Sequence, residues 1–158
     1  MIKLPEIIKL EDCQGDPKKH IEAVYVLFKK DFIDSKPQYK NVKVSIIKKP
    51  IFDGKEWSFW HLTSQGKEED KRIPDLRKCE RIGWIKPVIE SSENGEIKFW
   101  KNKRKSDNRI CLCYGDWEYL VVLIDKNSYV ILFTAYPIQW RHTREKLEKE
   151  YNDYILHP

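Results

Sequence analysis

The sequence lacks the features that would place the chain in a membrane or in an oxidising compartment. No apolar run approaches the roughly 20 residues of a membrane span, and the longest one, residues 119–124, has the length of a strand. The first six residues contain no apolar signal core. There are only four cysteines and no CxxC pair, which indicates reduced thiols rather than disulfides or a zinc site. We therefore expect a soluble, cytoplasmic protein.

Several motifs that usually identify catalytic and nucleotide-binding sites are also missing. The chain has no Walker loop, no GxGxxG, no GxSxG and no HExxH. Its short acidic run, residues 68–70, has no matching acidic cluster that would indicate a two-metal site. We therefore expect neither a cofactor nor a metal ion.

The composition is that of one ordered domain with a mildly basic surface. The chain has 158 residues, of which 13% are aromatic and 35% charged, and its net charge is +5. This length predicts a single domain, residues 1–158, that can bury a sizeable core. The positive charge is compatible with a nucleic-acid partner without requiring one.

Apolar periodicity and turn residues predict an α+β domain. Asp16 and Pro17 are a typical helix start, and Asp53-Gly54 is typical of a hairpin turn. Hairpin-linked strands with helices outside them predict a twisted antiparallel sheet with N-terminal, mid-chain and C-terminal helices. The predicted helices span residues 17–33, 74–85 and 139–153, and the predicted strands span 42–49, 56–64, 97–101, 109–114, 117–125 and 129–136, with a polar loop at 65–71.

His61, in the predicted strand 56–64, is the first candidate catalytic residue. Histidine exchanges a proton near neutral pH, so it suits either proton-transfer role in the cleavage of RNA without a metal. The alternative is a strand histidine that is hydrogen-bonded within an aromatic surround. The other three histidines, His20, His142 and His157, are predicted to lie on the surface.

Arginines are the second group of candidates, because a guanidinium matches the geometry of a phosphate. Arg72 follows the histidine segment, Arg81 lies in the predicted helix 74–85, and Arg109 begins a strand. Ordinary ion pairing with nearby carboxylates is the alternative for each of them. Thr134, in a very apolar strand, is either a phosphate-oxygen donor or a structural hydroxyl.

A second set of residues is predicted to bind substrate around this centre. Thr63 shares the face of His61 if the segment is a strand, and Tyr136 is a further hydroxyl donor. The basic loop 101–108 follows Trp100, whose ring is suited to stacking on a base, and it carries cations that neutralise phosphates. A solvated turn is the alternative for this loop. Its predicted substrate-binding residues are Lys103, Arg104 and Lys105.

Four short segments resemble the phage and prophage branch of the Barnase–EndoU–colicin–RelE-like (BECR) nucleases. They are residues 59–63, Arg72 with residues 81–85, Arg109-Ile110, and residues 129–136, and the resemblance covers about residues 55–140. It implies one or two helices before a twisted antiparallel sheet. Carried over by position, His61 would be the acid/base histidine, Arg72, Arg81 and Arg109 would bind phosphate, and Thr134 would be the hydroxyl of the late strand.

The resemblance implies a toxin-like, metal-independent ribonuclease that acts on tRNA, mRNA or other RNA and is held in check by an antitoxin or immunity protein. A second active-site histidine, present in many members, is not evident, and Tyr136, Lys86 or an arginine are candidates for the second proton-transfer group. Two other functions stay open: an RNA-binding module that does not cut, and a phage accessory protein that binds other proteins.

Overall fold

The computed structural model describes residues 1–68 and 71–158. A 3₁₀ turn, Leu10–Cys13, precedes helix α1, Pro17–Lys29, which continues into a π-helical turn, Lys30–Asp34. The remaining helical segments are α2, Trp57–Thr63, α3, Leu76–Glu80, a 3₁₀ turn, Ile82–Trp84, α4, Ile85–Glu90, and the C-terminal α5, Arg141–Leu156.

The strands form one large and one small sheet. The strands are β1, Gln38–Tyr39, β2, Val42–Ser45, β3, Ser64–Gln65, β4, Ile73–Pro74, β5, Ile97–Arg104, β6, Asp107–Tyr114, β7, Tyr119–Asp125, and β8, Val130–Pro137. Six of them are ordered β1-β2-β8-β7-β6-β5, and β3 pairs with β4. Four consecutive antiparallel strands, β5 to β8, therefore make up most of the large sheet.

The large sheet separates two hydrophobic clusters. Alternate residues along the strands, such as Leu112 and Leu132, pack on one face of the sheet against α1, α2 and α4. Trp100, Cys111 and Leu120 project from the opposite face and pack against Leu147 of α5. The second cluster is the smaller one and covers only part of its face, so that the rest of that face forms the floor of a cleft.

The α+β class and the order of the last five elements are confirmed, but the antiparallel sheet is only partly correct. β2 pairs with β8 in parallel, through Val44 opposite Val130. The sequence instead predicts that residues 42–49 pair with residues 56–64 in a hairpin. Asp53-Gly54 does form the turn, with both residues at positive φ, but only an isolated bridge between Phe52 and Lys55 flanks it.

The predicted strand 56–64 is wrong, because residues 57–63 form the helix α2. The run Trp-Ser-Phe-Trp-His-Leu-Thr is apolar or small almost throughout, so both a period of 2 and a period of 3.6 fit it. Packing decides between them: Phe59 and Leu62, three apart, are both buried in the larger cluster. Tertiary burial thereby outweighs the strand propensity of the aromatic residues.

Two other predicted segments differ from the structure. The helix predicted at 74–85 is divided into α3, a 3₁₀ turn and α4, and Pro87 lies in the first turn of α4 rather than ending a helix. The basic loop 101–108 is a continuation of β5 and β6 that turns tightly between Arg104 and Asp107. Of the predicted loop 65–71, Glu69 and Asp70 lie outside the described residues.

Helix 17–33 is confirmed: Pro17 is its first residue and the Asp16 side chain accepts a hydrogen bond from the Lys18 amide. Cys79, Cys111 and Cys113 are buried free thiols. His20, predicted on the surface, is buried and bonded through Nε2 to the Ile8 carbonyl. In the described part of the chain, no helix is long and apolar enough to span a membrane.

Candidate functional site

A cleft of about 710 Å³ lies on the face of the sheet that α5 only partly covers. Strands β5 to β8 form its floor, α5 forms one wall, and residues from the ranges 61–66 and 72–78 form the other. It is strongly cationic. Among the described residues, the cations that line it are Arg72, Arg77, Lys78, Arg104, Arg109 and Lys146, whereas the carboxylates are Asp75 and Glu150.

The two carboxylates that the described residues contribute to the cleft are both engaged in the protein's own structure. Asp75 is the N-cap of α3 and accepts hydrogen bonds from the Arg77 and Lys78 amides. Glu150 accepts from Trp100, Asn102 and Arg104, and so attaches α5 to β5. The excess of cations leaves a positive field in the cleft, and such a field attracts and concentrates anions.

His61 lies at the floor edge of the cleft, in the last turn of α2. Its ring stacks on that of Trp57, one helical turn earlier, with 4.7 Å between the ring centroids. The centroid of the Phe133 ring lies 5.4 Å away. Burial, together with the charges of Arg72 and Lys78, lowers the pKa of His61 to about 4. The imidazole is therefore neutral at physiological pH, which is the form that accepts a proton.

Arg72 and Lys78 hold the end of α2 in place. Arg72 donates to the carbonyls of His61, Ser64 and Gly66 and to the Ser64 hydroxyl. Lys78 Nζ donates to the carbonyls of His61 and Ser64 at 3.1 and 2.7 Å. The last carbonyls of a helix have no partner within it, so these cations both fix His61 and bring positive charge beside it. Most of the Arg72 donors are used in this way.

The pKa of Lys78 is also lowered, toward the neutral range. Its side chain is buried, and this burial, with the nearby charge of Arg72, lowers the pKa of Lys78 to about 8. At neutral pH the side chain is still predominantly an ammonium ion, but one that gives up a proton far more easily than an exposed lysine does.

Arg109, on β6, carries the least satisfied charge on the cleft floor. Its guanidinium lies over the Phe133 ring at 4.6 Å, and its buried Nε has no hydrogen-bond partner among the residues described. A buried donor without a partner is costly unless a ligand supplies one. The same Phe133 ring contacts His61, so the phenyl group brings the two candidate side chains to one place.

A β-bulge in β8 places Thr134 in the cleft. Val122 pairs with Thr134 and Leu123 with Leu132, so Phe133 has no partner of its own. Leu132 and Ala135 pack in the larger cluster on the other face, which leaves the two intervening residues on the cleft face. Tyr136 also lines the cleft, and burial raises the pKa of Tyr136 to about 12, so its hydroxyl remains a donor.

The structure thus brings together His61, Arg72, Arg104, Arg109, Thr134 and Tyr136, all predicted from sequence. Arg81 lies apart from them: it donates to Glu80, packs on Trp84 at 5.2 Å and lines a different depression. Lys103 and Lys105 are exposed near the β5–β6 turn and do not line the cleft as the described residues form it.

Two residues that were predicted to contact substrate, Thr63 and Trp100, are buried and cannot do so. Thr63 is buried and donates to the Phe59 carbonyl one helical turn earlier. On a helix, residues two apart do not share a face, so the predicted proximity to the His61 face followed from the wrong secondary structure. Trp100 is fully buried in the smaller cluster against Trp117, so neither face of its ring is open to a base.

Among the cleft residues that the sequence did not indicate as site residues are Lys78, Lys146, His142 and Trp140. Lys78 and Lys146 resemble the other lysines of charged helices, and no local pattern distinguishes them. His142, predicted on the surface, is exposed but lines the cleft from α5. Trp140, which precedes a helix and follows Pro137, carried the one usable signal, an aromatic residue at a strand-to-helix junction. Lys86, by contrast, lies on α4 and is not part of the cleft lining as described.

Within residues 1–68 and 71–158, no group of three histidine, cysteine, aspartate or glutamate side chains is arranged to hold a metal ion. Comparison of the chain with protein-family models, with curated proteins and with solved structures gives no match.

Proposed function

We propose that this cleft binds and cuts RNA without a metal ion, by attack of a ribose 2′-hydroxyl on the adjacent phosphate. The observation that carries the proposal is the convergence of His61, Arg109 and Thr134 from three distant parts of the sequence on one cationic cleft. That reaction needs a base, an acid and cations that stabilise the developing phosphorane. All three kinds of group line the cleft.

In this mechanism His61 is the general base. Its neutral imidazole takes the 2′-hydroxyl proton, and the resulting oxygen attacks phosphorus to form a 2′,3′-cyclic phosphate. The pKa of about 4 belongs to the protein without substrate. A phosphate placed beside Arg72 and Lys78 offsets their charges, so RNA binding raises the basicity of the imidazole.

Arg109 and Thr134 bind the phosphate at the floor of the cleft. The guanidinium of Arg109, which lines the cleft floor, donates its Nη hydrogens to the phosphate oxygens. The Thr134 hydroxyl donates to the same group. Arg72 contributes charge and positions α2, because its own donors are largely taken by backbone carbonyls.

The departing 5′ oxygen needs a proton, and Lys78 is the candidate donor. Its pKa of about 8 lies closer to neutrality than that of Tyr136, about 12. A general acid works best when its pKa is near the working pH. Lys78 therefore takes the role for which the sequence suggested Tyr136, Lys86 or an arginine.

An enzyme of this type endangers the cell that makes it, so the proposal includes a neutralising antitoxin or immunity protein. An acidic surface on that protein would complement the cations of the cleft. The RNA itself, tRNA or mRNA, is to be identified by experiment.

Binding of RNA without cleavage is the second candidate function. The observation in its favour is the low pKa of His61, because a base with a pKa of about 4 accepts protons weakly. The cationic lining serves both functions equally.

Induced expression of the wild type beside His61→Ala separates the two functions. We expect growth arrest and discrete RNA fragments for the wild type only, and the mapped 3′ ends would name the substrate. His157→Ala, which removes an exposed histidine outside the cleft, is the matched control and should behave as the wild type. Intact RNA and equal growth in all three strains would contradict the nuclease proposal.

A further inference from the structure

Trp140 differs from every other tryptophan of the chain. All six lie in the described ranges, and Trp140 is 63% exposed, whereas Trp100 and Trp117 are buried and the others half-buried. Trp57, Trp60, Trp84, Trp100 and Trp117 each pack against another aromatic ring. Among the described residues, Trp140 has no such ring contact. A large aromatic face is left open at this position.

The open ring lies at the rim of the cationic cleft. Residues 137–140 form a ridge, and Trp140 lines both the cleft and a second depression on its other side. The ridge is fixed by its backbone: the Ile138 amide donates to the Glu118 carbonyl, and the Arg144 amide donates to the Trp140 carbonyl. The backbone that carries the ring is therefore fixed, so that stacking on the ring has to order only the Trp140 side chain.

The charges on the two sides of the ridge are different. The second depression has four carboxylates, Asp116, Glu118, Glu145 and Glu148, against three arginines, Arg81, Arg141 and Arg144. These arginines are paired, Arg141 with Glu145 and Arg144 with both Asp116 and Glu148. A phosphate chain is thus attracted to the cleft side, which Lys146 and Trp140 both line, and not to the far side.

We propose that Trp140 is a stacking platform for an unpaired base next to the bound phosphate, so that the cleft accepts single-stranded rather than duplex RNA. The proposal rests on the proposed function for the location of the phosphate. With the phosphate in the cleft, a neighbouring base reaches the rim and covers the exposed indole. Only an unpaired nucleotide can turn its ring face to an aromatic side chain, because bases in a duplex are covered by their neighbours.

Binding is measured by fluorescence anisotropy of end-labelled RNA, with His61→Ala as the parent so that no strand is cut. The ligands are a single-stranded oligoribonucleotide, the same sequence as a duplex, and an abasic ribose-phosphate strand of equal length. The variants on this parent are Trp140→Ala, Trp140→Phe, Arg109→Met, and Phe52→Ala. Phe52 is as exposed as Trp140, at 69%, and lies outside the cleft lining, which makes it the matched control.

The proposal predicts that Trp140→Ala weakens binding of the single strand by about 5- to 150-fold, the range for loss of one base–aromatic stack. Trp140→Phe should retain most of the affinity, and Phe52→Ala all of it. Affinity for the duplex and for the abasic strand should be the same with and without the indole. The large exposure of Trp140 makes misfolding of the variants an inadequate explanation, and circular dichroism checks it.

Other outcomes separate the failure of this inference from that of the proposed function. If Arg109→Met weakens binding but Trp140→Ala does not, the phosphate cleft stands and the stacking platform is overturned. Equal losses on duplex and abasic strands would also overturn it, since no base would be involved. If the parent binds no RNA even at low salt, the proposed function fails and the inference fails with it.

Discussion

At the scale of single residues, the proposed reaction depends on the lowered pKa values of two side chains. Burial keeps His61 neutral above a pKa of about 4, and it lowers the pKa of Lys78 to about 8. The base must be deprotonated and the acid protonated for the reaction. Because kcat/KM reports the protein without substrate, kcat/KM is expected to fall as the pH drops through about 4 and as it rises through about 8.

The pH dependence of kcat/KM for a cut oligoribonucleotide checks this expectation. Lys78→Met should remove the alkaline decline and lower kcat by roughly 10²- to 10⁴-fold, the usual contribution of a general acid. Lys103→Met, which removes an exposed lysine outside the cleft, should keep both limbs. An alkaline decline that persists unchanged in Lys78→Met would assign it to another group.

Arg109 is expected to cost stability and contribute to function. Its Nε is buried without a hydrogen-bond partner in the described structure, so Arg109→Met removes a poorly compensated charge and keeps the length of the side chain. We expect the free energy of unfolding to rise by about 1 kcal/mol and cleavage to slow by about 100-fold.

Urea denaturation and initial rates measure the two effects of Arg109→Met. Lys105→Met, at the exposed β5–β6 turn, removes one positive charge elsewhere and should change neither quantity appreciably. A variant that is less stable but fully active would show that Arg109 is a structural residue.

At the scale of elements, the position of His61 was predicted with the wrong secondary structure. The segment 57–63 has apolar residues at both helical and strand spacing, so the choice depended on burial that only the folded chain provides. The bulge at Phe133 is similar: it shifts Thr134 onto the cleft face through pairing with Val122, and nothing in the apolar run 129–136 marks it. The candidate residues were found by their chemistry rather than by their geometry.

One carboxylate of helix α5 accepts hydrogen bonds from three side chains of β5. Glu150 accepts hydrogen bonds from Trp100 Nε1, Asn102 Nδ2 and Arg104 Nη2 at 3.3, 2.8 and 2.8 Å. Glu150→Ala leaves these donors without their acceptor, and we expect it to lower the free energy of unfolding by about 1–3 kcal/mol.

Chemical denaturation with matched variants tests the role of Glu150. Glu145→Ala is the control, because Glu145 pairs with Arg141 on the exposed side of the same helix, and such surface pairs contribute about 0–1 kcal/mol. Equal stability of the two variants would mean that α5 is held by Leu147 and its apolar neighbours alone.

At the scale of the whole molecule, pattern reasoning predicted the α+β class and the final β5-β6-β7-β8-α5 order, because those strands are long, apolar and separated by clear turns. It did not predict the parallel pairing of β2 with β8, which joins residues far apart in the chain. For the same reason Lys78, His142 and Trp140 were not predicted to line the cleft. They come together because α3 and α5 lie in opposite walls of the cleft.

Cleavage of RNA by the purified protein in the presence of EDTA tests the central claim most directly. The substrate is the RNA that expression identifies, beside a copy with a 2′-deoxyribose at the cut position. The account predicts that the wild type cuts only the all-ribose strand and leaves a 2′,3′-cyclic phosphate, and that His61→Ala does not. Cleavage of the deoxy copy, or undiminished cleavage by His61→Ala, would contradict the account.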